Sequence, residues 1–249
     1  DEANSGGFIT GTGSIEVLSG PATSLDVVMI ANDANTATET TSINGDIGNW
    51  SVPGTPAAGN HYYTGPFTLR TPATAVDQSL TFGGSTLSLT TGGRLLGKAG
   101  FNNANNTSTQ TLNVNLILDG GNIDQAGGSV NTTLRIEGSV LSKSEASVGS
   151  LGTATVCETL DFVAPISGDS IINVGGSANG GANRGVVRLS AANPFTGTFN
   201  VAQPGAAIAS TTNRLLQINH PDAVRFALLQ ILTTEADGLS FTSAANTGN

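Results

Sequence analysis

Charged, aromatic and sulfur-containing residues are all scarce in this chain. Only 11% of its 249 residues are charged and 5% are aromatic, with one cysteine and one methionine. A typical globular domain has about 25% charged residues. The single cysteine, Cys157, excludes an internal disulfide, and we interpret it as a buried, unreactive thiol. Low charge combined with ordinary apolar content is not the composition of a disordered chain.

The few charges are mostly negative. Eighteen Asp and Glu against nine Lys and Arg give a formal net charge of −9. Nucleic acids and anionic membrane surfaces select for clustered Lys and Arg, so we predict neither as a partner. No stretch approaches the roughly 18 apolar residues of a transmembrane helix, so we predict no membrane insertion. The opening residues, DEANSGGFITG, resemble a mature N-terminus, and we expect a protein located outside the cell or at its surface.

Brief apolar stretches are separated by glycine, serine, asparagine and threonine. In LNVNLILDGG, apolar residues alternate from Leu112 to Leu118, which predicts a strand with one buried and one wet face. Gly-Gly and Asn recur at the ends of such stretches, as in GGSTLSLTTGG and LILDGGNIDQAGG. Asparagine or threonine at these corners can hydrogen-bond a neighbouring turn of chain.

The pattern predicts an all-β protein. We expect a right-handed parallel β-helix, or β-solenoid, because short strands, glycine-rich corners and imperfect recurrence suit stacked rungs. A β-sandwich or jelly roll is the alternative, although it would usually contain more aromatic residues. Residues 1–75 are less regular and are expected to form an N-terminal cap or a small β region. Residues 76–249 are expected to form the rungs. Within them, HPDAVRFALLQIL at 220–232 is either a short helix or a turn followed by a strand.

One segment carries a family resemblance. GVVRLSAANPFTGTFNV, Gly185–Val201, resembles the autotransporter-associated β-strand repeat of large secreted bacterial proteins, in the pattern formed by Leu189, Ser190, Asn193, Phe195, Thr196 and Gly197. LTFGGSTLSLTTGG and GLSFTSAA look like the strands that precede and follow such a repeat. The resemblance implies a parallel β-helix used for extracellular display, adhesion or matrix structure. It implies corner-turning Asn and Gly, core-filling Leu and Phe, and no catalytic residues.

Residues that could carry chemistry are few. Asp119 and Asp124 could come together on one face, with Arg135 and Glu137 in the next rung, as in a glycosidase or polysaccharide lyase. The sequence LDGG is more typical of a corner between two β-strands than of a catalytic site. The two histidines, His61 and His220, are interpreted as loop and turn residues. No nucleophile elbow, zinc motif or phosphate loop is present.

The sequence contains only weak signals for metal or ligand sites. Two oxygen-rich segments, NDAN (Asn32, Asp33, Asn35) and NGDIGN (Asn44, Asp46, Asn49), lack the spacing of a calcium loop, and we interpret them as solvated. We therefore expect no metal and no cofactor. The best ligand-binding candidates are Trp50, Tyr62 and Tyr63, unless Trp50 packs under a cap.

Three functions remain open from the sequence. The first is a non-catalytic extracellular structural protein, either a module of a bacterial surface protein or a fibre subunit that associates through strand edges or solenoid ends. The second is a carbohydrate-binding adhesin module. The third is a β-helix lyase or glycosidase.

Overall fold

The computed structural model describes residues 24–33, 49–99, 107–126, 132–150, 158–175, 185–201, 216–231 and 239–241. This part of the chain contains strands and turns and no helix, so no helix in it could span a membrane. The strands form two sheets that stack as a β-solenoid.

Sheet 1 has eleven strands: β1 Asp26–Val28, β2 His61–Tyr63, β4 Gln78–Thr81, β5 Thr86–Thr90, β7 Thr109–Asp119, β9 Thr133–Ser144, β11 Thr159–Phe162, β12 Ile166–Gly168, β14 Val186–Leu189, β16 Leu216–Ile218 and β18 Leu239–Phe241. Sheet 2 has seven: β3 Thr68–Arg70, β6 Arg94–Gly97, β8 Asn122–Gln125, β10 Ala146–Ser150, β13 Ile171–Val174, β15 Thr198–Val201 and β17 Leu228–Ile231.

The chain passes repeatedly from one sheet to the other, so most strands pair with a strand one turn before and a strand one turn after them. Sheet 1 runs β1-β2-β5-β7-β9-β11-β14-β16-β18, with β4 beside β7 and β12 beside β9, and sheet 2 runs β3-β6-β8-β10-β13-β15-β17. Every pairing between these strands is parallel. Sandwiches and jelly rolls are antiparallel, so this alternative is wrong and the solenoid prediction is confirmed.

Apolar side chains from both sheets meet between them. In β7 the burial alternates as predicted, with Leu112 and Leu118 fully buried and Asn113 and Asn115 exposed. Parallel in-register pairing places like residues above one another, as where Ile123 of β8 lies between Leu95 and Val148. Each rung thus adds a few large residues to one continuous core.

Glycine turns the corner after β7. Gly120 has a φ of +90°, which is in the left-handed region that favours glycine. A Cβ on Gly121 would collide with the backbone of Leu89 and Thr90 in the preceding rung. The interpretation of LDGG as a corner is confirmed: Gly120 is favoured by its backbone conformation and Gly121 by the close approach of the preceding rung.

Within the segment 220–232, the described residues 220–231 form a turn followed by a strand. Residues 221–227 form turns and bends, and β17 begins at Leu228. Leu228 N donates to Gly197 O at 2.9 Å and thus joins β17 to the rung before it. The helix hypothesis is therefore wrong, because sheet pairing outweighs the helix-start pattern.

The parallel sheets run through residue 75. Strands β2 and β3, which precede that position, pair with β5 and β6, which follow it. Sheet pairing therefore places no boundary there, and the first rungs lie inside the segment expected to form a cap.

Candidate functional site

Two of the three candidate aromatic residues lie in the core. Trp50 is fully buried and Tyr62 is 4% exposed. Their rings meet edge to face with centroids 5.0 Å apart, and Tyr62 makes a similar contact with Phe82 at 5.4 Å. The candidates Trp50, Tyr62 and Tyr63 therefore do not form an exposed aromatic patch, because the rings of Trp50 and Tyr62 pack in the core of the first rungs. The alternative reading, a tryptophan packed under a cap, agrees with this burial.

Tyr63 is the one partly exposed member of the group. It follows Tyr62 in a strand, so its side chain projects to the opposite face. Its hydroxyl donates to Asp26 Oδ1 at 3.2 Å. Partial burial, and then the Asp26 carboxylate, raise the pKa of this phenol above its usual value. The Tyr63 side chain thus lies on the outer face of sheet 1, where it is hydrogen-bonded to Asp26 on the neighbouring strand.

The oxygen-rich residues near the N-terminal end cover a strand edge. Asn32 Oδ1 accepts from Thr68 N at 2.8 Å, and Asp33 Oδ2 accepts from Arg70 N at 3.0 Å. Asn49 Nδ2 donates to Asp33 Oδ1 at 2.7 Å, which brings the two segments weighed for calcium together. Their oxygens satisfy the outer edge of β3, and the described residues contain no group of three or more metal-ligating side chains. Asn35, Asn44 and Asp46 lie outside the described residues.

The outer edge of β1 is covered as well. Residues 49–51 cross it through Ile30 N to Asn49 O and Ser51 N to Val28 O, both at 2.7 Å. With the contacts to β3, this gives the first rung a cap built from Asn32, Asp33 and residues 49–51, which we call the N-terminal cap. Trp50 lies at its centre.

The two candidate carboxylates do not share a face. Asp119 lies on the surface, where Lys143 Nζ donates to it at 2.7 Å and lowers its pKa. Asp124 is fully buried and accepts from Arg94 Nε at 2.7 Å. These two residues therefore do not have the geometry of a glycosidase pair, which is the less favoured of the two interpretations drawn from the sequence. Asp124 follows the core residue Ile123 in β8, so its side chain lies on the opposite face of sheet 2, where it is nevertheless buried.

Asp124 and Lys98 are two buried charged groups that both lie near Arg94. Burial raises the pKa of its carboxyl, although Arg94 opposes that change. One rung away, Lys98 Nζ donates to Ala126 O at 2.9 Å. Burial lowers the pKa of Lys98 to about 8, with Arg70 acting in the same direction and Glu158 against it. Sequence reasoning missed these two groups because no periodic pattern distinguishes a buried charge from an exposed one.

The two histidines make local contacts, and Cys157 lies outside the described residues. His61 Nδ1 lies 2.8 Å from Thr86 Oγ1 on the neighbouring strand. His220 Nδ1 accepts from Asp222 N at 3.1 Å within the turn before β17. His220 is the turn residue that the sequence predicted, whereas His61 begins strand β2 and is not the predicted loop residue, because it pairs in register with Asp26 and Thr86.

The segment that resembles the repeat family is a corner of the solenoid. Asn193 is 4% exposed; its Oδ1 accepts from Ile166 N, 27 residues earlier, and its Nδ2 donates to Ala223 O, 30 residues later, both at 2.8 Å. Phe195 is fully buried against Phe199 with ring centroids 4.8 Å apart. The predicted use of asparagine to bond neighbouring rungs is confirmed at this corner.

A row of charged side chains crosses the outer face of sheet 1. Strand register aligns Arg135 with Asp161, and Asp161 with Arg188. Asp161 Oδ2 lies 3.7 Å from Arg135 Nε and 3.7 Å from Arg188 Nη1, and its Oδ1 accepts from Ser190 Oγ at 2.6 Å. The Asp161 carboxylate therefore interacts with the guanidinium groups of both Arg135 and Arg188.

This row ends in a pocket that sequence reasoning missed. The pocket, which we call the β4 pocket, has a volume of about 350 Å³ and is lined by Asp77, Gln78, Ser79, Thr109, Thr111 and Arg135. Alternate polar residues in TQTLNV and TLRIEG indicate the wet face of each strand. Only the register between β4, β7 and β9 brings these faces together.

Comparison of the chain with protein-family models, with curated proteins and with solved structures finds no match. The resemblance at Gly185–Val201 therefore depends on the quoted residues alone.

Proposed function

We propose that this protein is a non-catalytic structural module of an extracellular or cell-surface protein, and that it self-associates through the C-terminal end of its solenoid. The observation that carries the proposal is the contrast between the two ends. The first rung is covered by the N-terminal cap, whereas β17 presents an apolar outer edge.

The exposed apolar residues of the last rung support an interface. Phe226 is 59% exposed, Leu228 is 62% exposed and Ile231 is 47% exposed. In the described ranges, no strand pairs with the outer edge of β17. Natural edge strands are usually protected by charges, by proline or by a bulge. The β17 sequence, LLQI, contains no charged residue and no proline.

A second copy of the same chain fits this edge. The N-terminal cap already uses the outer backbone groups of β1 and β3, so head-to-tail stacking would have to displace it. Two β17 edges related by a two-fold axis would satisfy each other, as in most homodimers. The uncharged sequence of β17 allows this approach without repulsion. This geometry favours a module with one association surface over a head-to-tail fibre.

The extracellular assignment has separate support. The composition and the resemblance at Gly185–Val201 both point to secreted bacterial β-helix proteins. The weighed carboxylates, Asp119 and Asp124, are engaged with Lys143 and Arg94 and do not face one groove. These contacts favour the structural function over the glycosidase or lyase alternative.

The test is size-exclusion chromatography with light scattering over a range of concentrations. The native protein should reach twice the monomer mass, and the double variant Leu228→Lys, Ile231→Lys should remain a monomer. The matched control is Leu141→Lys, because Leu141 is also exposed (41%) but lies in β9, away from either end. A native protein that stays monomeric at all concentrations, or a double variant that still dimerises, would contradict the assembly surface. Depolymerisation of a polysaccharide by the protein would contradict the non-catalytic assignment.

A further inference from the structure

The β4 pocket has the volume of a small-molecule binding site and a polar lining. Its volume of about 350 Å³ falls within the range of roughly 300–1,000 Å³ that ligand pockets occupy. It lies where β4, a short strand beside the first half of β7, forms a step on the outer face of sheet 1. Its lining consists of hydroxyl, amide, carboxylate and guanidinium groups.

Most of these groups retain unused hydrogen-bonding capacity. Asp77 Oδ1 accepts from Thr109 N at 2.8 Å, and Gln78 Oε1 accepts from Gln110 Nε2 at 2.8 Å. Within the described part of the chain, the hydroxyls of Ser79, Thr109 and Thr111 have no hydrogen-bond partner. The same is true of the second oxygen of Asp77. Donors and acceptors are thus mixed along one small concave surface.

The charges of the pocket favour a neutral ligand. Asp77 and Arg135 both line it but do not form an ion pair with each other, so each can bind a separate group of a ligand. Arg135 is 41% exposed and reaches Asp161 only at 3.7 Å, a carboxylate that it shares with Arg188. Asp77 in the lining, and Glu137 two residues along β9, would both repel an anion.

We propose that the β4 pocket binds a sugar residue of a neutral carbohydrate. A pair of adjacent hydroxyls suits the lining, because the Asp77 carboxylate accepts from one and the Arg135 guanidinium donates to the other. The threonine and serine hydroxyls, which both donate and accept, complete the contacts. This site is separate from the aromatic residues weighed from the sequence. It lies on sheet 1 and does not depend on the association edge at β17.

The experiment is isothermal titration calorimetry of the full chain with xylohexaose, mannohexaose, cellohexaose and N-acetylchitohexaose, with polygalacturonate as the anionic comparison. We expect at least one neutral oligosaccharide to bind. Asp77→Asn keeps an oxygen for Thr109 N but removes the charge, and Thr111→Val removes one hydroxyl while keeping the shape. Each should weaken that binding about tenfold, the loss expected when one hydrogen bond to a charged or hydroxyl group is removed.

Thr198→Val is the matched control, because Thr198 lies on sheet 2 with no side-chain hydrogen bond to described residues. It should leave the affinity unchanged. Absence of binding to all four neutral oligosaccharides, or binding of polygalacturonate alone, would overturn the proposal. So would equal affinities for the native protein and both pocket variants. Circular dichroism spectra of the variants show whether the fold is retained, and the light-scattering mass reports self-association separately.

Discussion

Replacement of Asn193 by alanine should destabilise the solenoid far more than replacement of an exposed asparagine. Its amide joins three successive turns of chain, because it accepts from Ile166 N and donates to Ala223 O. Both bonds are buried, and a methyl group would leave both backbone groups without a partner and without access to water. The perturbation therefore acts on three rungs at once.

The magnitude follows from the two orphaned groups. A buried donor or acceptor that loses its partner costs about 1–3 kcal/mol. Loss of both bonds should lower the free energy of unfolding by about 2–6 kcal/mol, a large part of the 5–15 kcal/mol typical of a domain. Asn193→Asp keeps the acceptor for Ile166 N but cannot donate to Ala223 O, and it adds a buried carboxylate. It should be unstable and should recover partly when the carboxyl is protonated at low pH.

Urea unfolding, followed by far-ultraviolet circular dichroism, measures these differences. The matched control is Asn115→Ala, because the Asn115 amide donates to Ser85 O at 3.2 Å but is exposed to water. This control should change stability by less than about 0.5 kcal/mol. Trp50 fluorescence reports the first rungs independently, so coincident transitions would show that the rungs unfold together. Equal stabilities of the two alanine variants would refute the role given to Asn193.

Two further predictions concern buried groups. The pKa of Lys98 is lowered to about 8, so the unfolded chain binds more protons than the folded chain above that pH. Stability of the native protein relative to Lys98→Met should therefore rise between pH 8 and pH 10 in thermal unfolding scans, and a flat difference would contradict the burial of the amine. Trp50 is fully buried, so acrylamide should quench its fluorescence weakly in the native protein and strongly in urea. Strong quenching of the native protein, or a spectral shift on adding an oligosaccharide, would restore Trp50 as a ligand-binding candidate.

The strands and their buried faces could be predicted because they are local. Alternation in LNVNLILDGG determines which side chains face inward, and paired glycines mark the corner after it. The segment at 220–232 could not be decided in this way. Its proline and aspartate resemble a helix start, and only the bonds that pair β17 with β15 make it a strand.

The candidate sites were less predictable because they depend on contacts between distant residues. Asp119 and Asp124 are five positions apart, yet the corner between them places Asp119 at the surface of sheet 1 and leaves Asp124 buried in sheet 2. Trp50 and Tyr62 look like a binding patch in the sequence because composition does not reveal burial. The β4 pocket joins residues from three strands whose register no single segment determines.

The sequence by itself determined an all-β chain of short strands, its glycine corners and its acidic, weakly charged surface, since these depend on composition and on the two-residue repeat of a strand. The tertiary structure decided which rung pairs with which, where the buried charges lie, which end is covered and where polar side chains converge. Those features arise from the alignment of residues some 27 positions apart, and a pattern read along one strand contains no information about the strand beside it.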